Sequence, residues 1–456
     1  MISIKQEVND LVSRSLDSHV RLAVTGLSRA GKTAFITSVV NQLLHTSTHD
    51  QLPLLASARD KRLLGAKRTP QSNMLVPRFP YESAIEQVLS EPPTWPLPTR
   101  DVSEIRLALK FKPTKRAKKL LGQTATLNLD IVDYPGEWLL DLPLLNMSFH
   151  EWSETQLNAL QGKRKEFAKQ WLLALETFAP EAEACENQLA EIAASFTQYL
   201  HRCKDEGLHW VQPGRFVLPG ELEGAPVLQF FPYLYQGKAS KTSNYAMLEA
   251  RYKEYQQKVV KHFYRHHFSS FDRQIILVDC LSPLNAGHDS FQDMKMAIEQ
   301  LTQSFRYGKS NLIKRLFSPR IDKLLFAATK ADHITPEQHT NVVSLLQQMT
   351  QGAWQMAAYE NIEMSCMSIA SIQATQAGYI SSSDSNYPAV QGTTIEGDAL
   401  TLFPGEVPSK LPESKFWQQS GFDFVQFRPQ PQSEGEPVKH IRIDKALEFL
   451  IGDKLK

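Results

Sequence analysis

The sequence predicts an α/β fold: a mostly parallel central sheet with one antiparallel strand, flanked by helices and carrying an inserted, mainly helical domain. Three observations lead there. Runs at 275–278 and 324–328 are apolar throughout, which suits strands covered by helices on both faces. A run rich in β-branched residues at 20–25 passes through a glycine-bearing loop into an apolar helical pattern from Lys32 to Leu44. Residues 139–208 show helical patterns and no strong strand signal, with strand-like segments on either side.

Composition narrows the class. The chain has 456 residues, enough for two or three domains or for one with large insertions. Hydrophobic residues make up 42% and charged residues 22%, an ordinary globular balance. A formal net charge of +1 argues against a general polyanion binder, and no strong nucleic-acid signal is present. Cys185, Cys203, Cys280 and Cys366 form no CxxC pair and read as reduced thiols rather than a disulfide framework. The opening MISIKQEVND lacks an apolar core and does not read as a signal peptide. No apolar run approaches the length of a membrane span. The expected location is the cytoplasm, with peripheral docking at the inner face of the membrane left open.

The elements follow in order. Ile4, Val8, Leu11, Val12 and Leu16 share helical spacing, so an amphipathic helix is expected before the first strand, packed on its own domain. Residues 45–100 read as irregular, broken by Pro70, Pro77, Pro80, Pro92, Pro93, Pro96 and Pro98. Segments 105–111 and 126–132 alternate and form a hairpin. Its tip is basic (Lys112, Lys115, Arg116, Lys118 and Lys119): a solvated loop, or a contact for phosphate or anionic lipid. Helical patterns run from about 154 to 199, with Trp152, Trp171 and Trp210 expected in the core. The stretch QPGRFVLPGELEGAP follows, and a helix over 245–267 leads back to a strand at 274–280. Further strands are expected at 324–328 and 362–369. Residues 378–435 read as long loops with one hairpin, and 441–451 as a closing amphipathic helix. No solenoid-length repeat is visible.

Four motifs sit at expected strand ends. Gly26-Leu27-Ser28-Arg29-Ala30-Gly31-Lys32-Thr33 matches GxxxxGK[ST] between a strand and a helix. Glycine permits the dihedrals that turn successive backbone N–H groups, from Gly26 through Ser28, Arg29, Ala30 and Gly31 to Ala34, around phosphates. The helix N-terminus adds favourable dipole. Lys32 would reach the β- and γ-phosphates, and the Thr33 hydroxyl would ligate Mg²⁺. Asp133-Tyr134-Pro135-Gly136 closes the strand LNLDIVD; Asp133 would hold Mg²⁺, and the Gly136 N–H would meet the γ-phosphate. Thr329-Lys330-Ala331-Asp332, followed by His333, matches [NT]KxD. An Asp332 carboxylate can accept from guanine N1–H and N2–H, a pair that adenine does not offer. Lys330 would cover the base plane. Ser368-Ile369-Ala370 would turn a backbone N–H to guanine O6. In this order the motifs predict a GTP/GDP site with Mg²⁺.

The series GLSRAGKT, DYPG, TKAD and SIA resembles that of the Ras-like translation-factor class of P-loop GTPases, in which the second strand is antiparallel. The gaps from Thr33 to Asp133 and from Asp133 to Thr329 are far longer than the minimal domain needs, so two insertions are expected. The resulting division is 1–137 for the first part of the nucleotide-binding domain (with an insertion at about 45–100), 138–270 for the inserted helical domain, and 271–456 for the remainder. More specifically, GLSRAGKTAFITS, WPLPT, DYPGEWLLDLPLL, QPGRFVLPGELEGAP and TKADH resemble the YcjX-like family of bacterial stress-associated P-loop proteins. The resemblance to the class implies a switch threonine that closes the Mg²⁺ shell; Thr99 is the choice, with Thr94 as rival.

Catalysis is less legible. Where Ras-type enzymes place a water-orienting Gln, this chain has Glu137, so slow hydrolysis is expected. Arg29, Arg100 and Arg215 are the candidates for a cis-acting cation, alongside Lys32 and Gly136 at the reacting phosphate. His262, His266 and His267, beside Arg265, read as a solvated helix end rather than a metal site. The functional expectation is a GTP-hydrolysing switch with an effector or regulatory partner. The alternatives are an ATP-hydrolysing P-loop protein, and a nucleotide-dependent, membrane-associated scaffold with little turnover.

Overall fold

A computed structural model describes residues 18–98, 101–114, 124–266, 270–306, 321–381, 386–419, 421–433 and 435–456. The helix expected at 4–16, Thr99, Arg100, His267 and most of the basic hairpin tip lie outside the described residues.

Seven strands form the central sheet: β1 (Ser18–Gly26), β2 (Leu63–Thr69), β3 (Ser103–Phe111), β4 (Ala125–Asp133), β5 (Arg273–Val278), β6 (Lys323–Ala328) and β7 (Glu363–Ser368). Their order is β2-β3-β4-β1-β5-β6-β7. β3 runs antiparallel to both of its neighbours, and every other pairing is parallel. The fold is therefore the α/β class expected, with one reversed strand. Since β1, β4, β5, β6 and β7 run the same way, the four motifs emerge on one carboxyl edge, where open α/β sheets place their ligands.

The sheet is buried on both faces, and alternation along each strand divides its residues between them. Val20, Leu22 and Val24 pack with helix Lys32–His45 and the C-terminal helix Ile443–Ile451. Ala23, Val132, Ile276 and Phe326 face the other way, into a larger core shared with the helices at 149–266, with His288–Arg306 and with His339–Met349. Trp152, Trp171 and Trp210 are buried in that core. The helical stretch is thus a layer laid on one sheet face, with the tip of Glu186–Asp205 brought to the carboxyl edge.

Two segments differ from expectation. Residues 45–100 contain β2 and helix Tyr81–Leu89 rather than irregular chain. β2, LLGAKRT, is a short edge strand with one buried position, so it shows no two-faced apolar signal. Residues 375–402 form three antiparallel strands, β8 (Thr375–Ser381), β9 (Asn386–Thr393) and β10 (Ala399–Leu402), rather than one hairpin. Their largely exposed, polar positions carry little hydrophobic alternation.

Candidate nucleotide site

The phosphate loop is shaped by its glycines and by one strained residue. β1 ends at Gly26, and Gly31 caps helix Lys32–His45 with φ 81°, left-handed backbone that favours glycine. Arg29 also has positive φ, 61°. Ala30 N–H donates to Leu27 O at 3.1 Å, closing the turn, and the helix has no side-chain cap at its N-terminus. Ser28 is half-buried and Arg29 exposed. Thr33 is buried, and Ala34 packs on Val88, Ile372 and Val438.

Asp133, at the end of β4, is fully buried beside this loop. Gly136 lies so close to the loop that a Cβ there would collide with the Gly26 carbonyl oxygen. Gly214, from QPGRF, packs equally tightly on the Glu137 carbonyl. Phosphate loop, DYPG turn and QPGRF segment therefore form one stack of backbone that two glycines make possible.

Asp141 locks the stack. Its carboxylate accepts from Gly214 N–H at 2.7 Å, from Arg215 N–H at 3.4 Å and from the Tyr255 hydroxyl at 2.5 Å. Burial pushes its carboxyl up to about 7, although these donors favour the charged form. Asp293 secures the chain just upstream. It accepts from His209 and Trp210 N–H at 2.6 and 2.9 Å and pairs with the buried Arg164 guanidinium.

Glu137 is 4% exposed and pairs with Lys204 Nζ at 2.9 Å. Burial raises its carboxyl, but the charges of Lys32 and then Lys204 outweigh that, and the net direction is down. One residue on, the Asp205 carbonyl accepts from Arg29 Nη2 at 3.2 Å. The last turn of helix Glu186–Asp205 thus touches both the phosphate loop and the residue that follows DYPG.

Arg215 is engaged elsewhere. It stacks on Trp138, 3.3 Å from the ring centroid, donates to Pro219 O and pairs with Glu221 at 3.2 Å. Thr94 is tied to Gln87 O, by its N–H at 2.9 Å and its hydroxyl at 3.2 Å. His262 is exposed on helix Lys261–His266.

The other end of the edge is held by backbone hydrogen bonds and by an ion pair. Thr329 N–H donates to Val278 O at 2.9 Å. Lys330 has φ 59°, and its Nζ pairs with Asp279 Oδ2 at 2.6 Å. Asp279 is buried at the end of β5 and also accepts from Ser282. Burial opposes its charge, but Lys330 and Ser282 bring its carboxyl down to about 2. Asp332 is buried, and its Oδ2 accepts from Ala374 N–H at 2.6 Å and Thr375 N–H at 3.2 Å. His333 Nδ1 lies 3.3 Å from its Oδ1. Burial pushes Asp332 up, but His333 and the two amides overcome it, and the net direction is down. In the Ser368-Ile369-Ala370 segment expected to offer a backbone N–H to guanine O6, Ile369 N–H is bonded to Ala328 O at 2.8 Å and Ala370 N–H to Ile441 O at 3.1 Å. Ser368 accepts from Arg442 at 2.9 Å.

Lys204, Asp279, Asp141 and Gly214 were not singled out as site residues from sequence. Only Asp279 left a local signal, a carboxylate ending a continuous apolar strand.

A family model described as the YcjX-like family, DUF463, matches residues 20–455. The chain belongs to the YcjX-like family. Among its relatives is a protein of Escherichia coli (strain K12) named "Ras-like GTPase YcjX", 54% identical, with all of both chains covered. A protein of the same name from Shewanella oneidensis is 45% identical over 99% of this chain and 98% of its own. Among the described residues, no helix of this YcjX-like chain is long and apolar enough to cross a membrane.

Proposed function

We propose that this protein binds GTP and GDP on the carboxyl edge and hydrolyses GTP slowly as a molecular switch. One observation carries the reading: Lys32, Asp133 and Gly136 share that edge with Thr329–Asp332, all at or after the ends of parallel strands of a single sheet. The names of both relatives point the same way.

In this reading, backbone N–H groups between residues 26 and 34 wrap the phosphates, Ala30 N–H staying on Leu27 O to close the turn, and Lys32 meets the β- and γ-phosphates. Gly136 abuts the Gly26 carbonyl, which ties the DYPG turn to the phosphate loop, and the buried Thr33 hydroxyl and Asp133 carboxylate are hard oxygen donors of the kind Mg²⁺ takes. Thr33 and Asp133 would hold the ion, with Thr99 as the expected switch ligand, and the ion would neutralise charge on the bridging oxygens. A water attacks the γ-phosphorus and the bond to the β,γ-bridging oxygen breaks. The electron pair stays on GDP, and the water's proton leaves with inorganic phosphate or to solvent. Glu137 accepts a hydrogen bond from that water.

At the base, Lys330 lies along the ring and Asp332 receives guanine N1–H and N2–H on its Oδ1 side, displacing His333. An ionised carboxylate offers about four acceptor positions, and Ala374 and Thr375 use two of them. Residues 138–270 act as an insertion whose tip senses the γ-phosphate through Glu137.

The test is single-turnover hydrolysis with excess protein and labelled GTP. GDP and phosphate should form with Mg²⁺ and fail to form with EDTA. Equal turnover of ATP would return the reading to a general P-loop ATPase, and binding without turnover to a scaffold.

A further inference from the structure

We propose that Lys204 is a positioning residue for GTP hydrolysis: reaching in from the helical insertion, it holds the Glu137 carboxylate turned toward the attacking water. The proposal deepens the GTPase reading above and rests on it.

The backbone of Glu137 has little freedom. Gly136 is pressed against the Gly26 carbonyl on one side, and Gly214 against the Glu137 carbonyl on the other. What remains adjustable is the side chain, which is buried and paired with Lys204 Nζ at 2.9 Å. A carboxylate facing an incoming triphosphate is repelled and would swing away or take up a proton. A cation paired with it counters both outcomes. Lys32 will be drawn to the phosphates, so the ammonium that stays with Glu137 is Lys204.

Lys204 is suited to a fixed geometry. It sits in the last turn of the 20-residue helix Glu186–Asp205. Leu189, Ile192, Phe196, Tyr199, Leu200 and Cys203 of that helix are buried in the large core. The next residue's carbonyl takes the Arg29 guanidinium, so the same turn is tied to the phosphate loop. The lysine side chain retains 21% exposure, so its loss leaves no large cavity. Arg215, a sequence-based candidate for a cis-acting cation, is stacked on Trp138 and paired with Glu221, whereas Lys204 already meets the carboxylate that follows DYPG.

The experiment measures single-turnover hydrolysis and, separately, Mg²⁺·GDP affinity for the wild type, Lys204→Met, Lys204→Arg, Glu137→Gln and the double variant Lys204→Met/Glu137→Gln. Thermal melting confirms that each is folded. The expected result is a rate loss on the order of 10- to 100-fold in Lys204→Met, the scale of misplacing a reacting group by about an ångström. GDP affinity should change by less than about threefold, and Lys204→Arg should recover most of the rate. In the Glu137→Gln background, removing Lys204 should cost nothing further, because it acts through Glu137. The proposal is overturned by a wild-type rate in Lys204→Met, by losses that multiply in the double variant, or by equal losses in affinity and rate. It is also overturned by a wild type that binds GTP and never cleaves it. A wild type that binds no guanine nucleotide overturns the GTPase reading itself, so the two failures are distinguishable.

Discussion

At the phosphate end of the edge, Glu137 and Arg29 meet the tip of one long helix through a side chain and a single carbonyl. At the base end, Asp332 and Ala370 meet backbone groups of the C-terminal segment: Ala374, Thr375 and Ile441. The first set is one ion pair and one hydrogen bond, each made by a long side chain to the same helix tip. The second is built into the fold. A nucleotide bound as proposed would meet side chains at one end and hydrogen-bonded backbone at the other. The proposed switch would place its γ-phosphate contacts at the side-chain end, with Glu137 kept on Lys204, and its base contacts at the backbone end.

The comparison breaks most readily at Lys32. Lys32→Ala should weaken Mg²⁺·GTP binding at least ~100-fold, about 3 kcal/mol, with little change in melting temperature. A loss of stability in place of affinity would make Lys32 a structural residue.

Asp332 tests the backbone end next. Asp332→Ala leaves two buried N–H groups without an acceptor, at about 1–3 kcal/mol each, so denaturant unfolding should show a clear loss even without nucleotide. Asp332→Asn keeps an acceptor and should lose guanine preference with a smaller loss of stability. Equal effects of the two substitutions would show that Asp332 only braces the fold.

Asp141 sharpens the account of the phosphate end. Its folded carboxyl is raised to about 7 by burial, against roughly 3.9 in an unfolded chain. The folded state therefore binds this proton more tightly. The contribution is complete below the unfolded value and is lost as pH rises through about 7, with a slope of at most about 1.4 kcal/mol per pH unit. Asp141→Asn should flatten the stability profile between about pH 4 and 7. The check is chemical denaturation of both proteins across that range.

The smallest effect expected is that of Arg29→Ala, which removes one exposed hydrogen bond to the Asp205 carbonyl. Stability should fall by less than about 1 kcal/mol, and nucleotide release should quicken severalfold. Stopped-flow release of a fluorescent GDP analogue reads this directly.

How much of this was legible in the sequence depended on whether the chemistry was local. The phosphate loop was legible because Gly26, Gly31, Lys32 and Thr33 act within eight consecutive positions, between a strand and a helix whose patterns are plain. β3 and β4 were legible because each alternates against a core. β2 was not, since an exposed edge strand with Lys67 and Arg68 needs no apolar face. The pairing of Glu137 with Lys204 and the seat of Gly214 on Glu137 join residues far apart in the chain. Only the folding of the helical layer onto the sheet creates them. The prior engagement of the Ile369 and Ala370 amides was equally hidden, because their acceptors lie on β6 and in the C-terminal segment.

The most direct test of the central claim is calorimetric titration of the full chain, with Mg²⁺ present, by GDP and then by ADP. GDP should give saturable heat at micromolar concentrations or below, and ADP none over the same range. Heat for both nucleotides with equal affinity, or for neither, would contradict it.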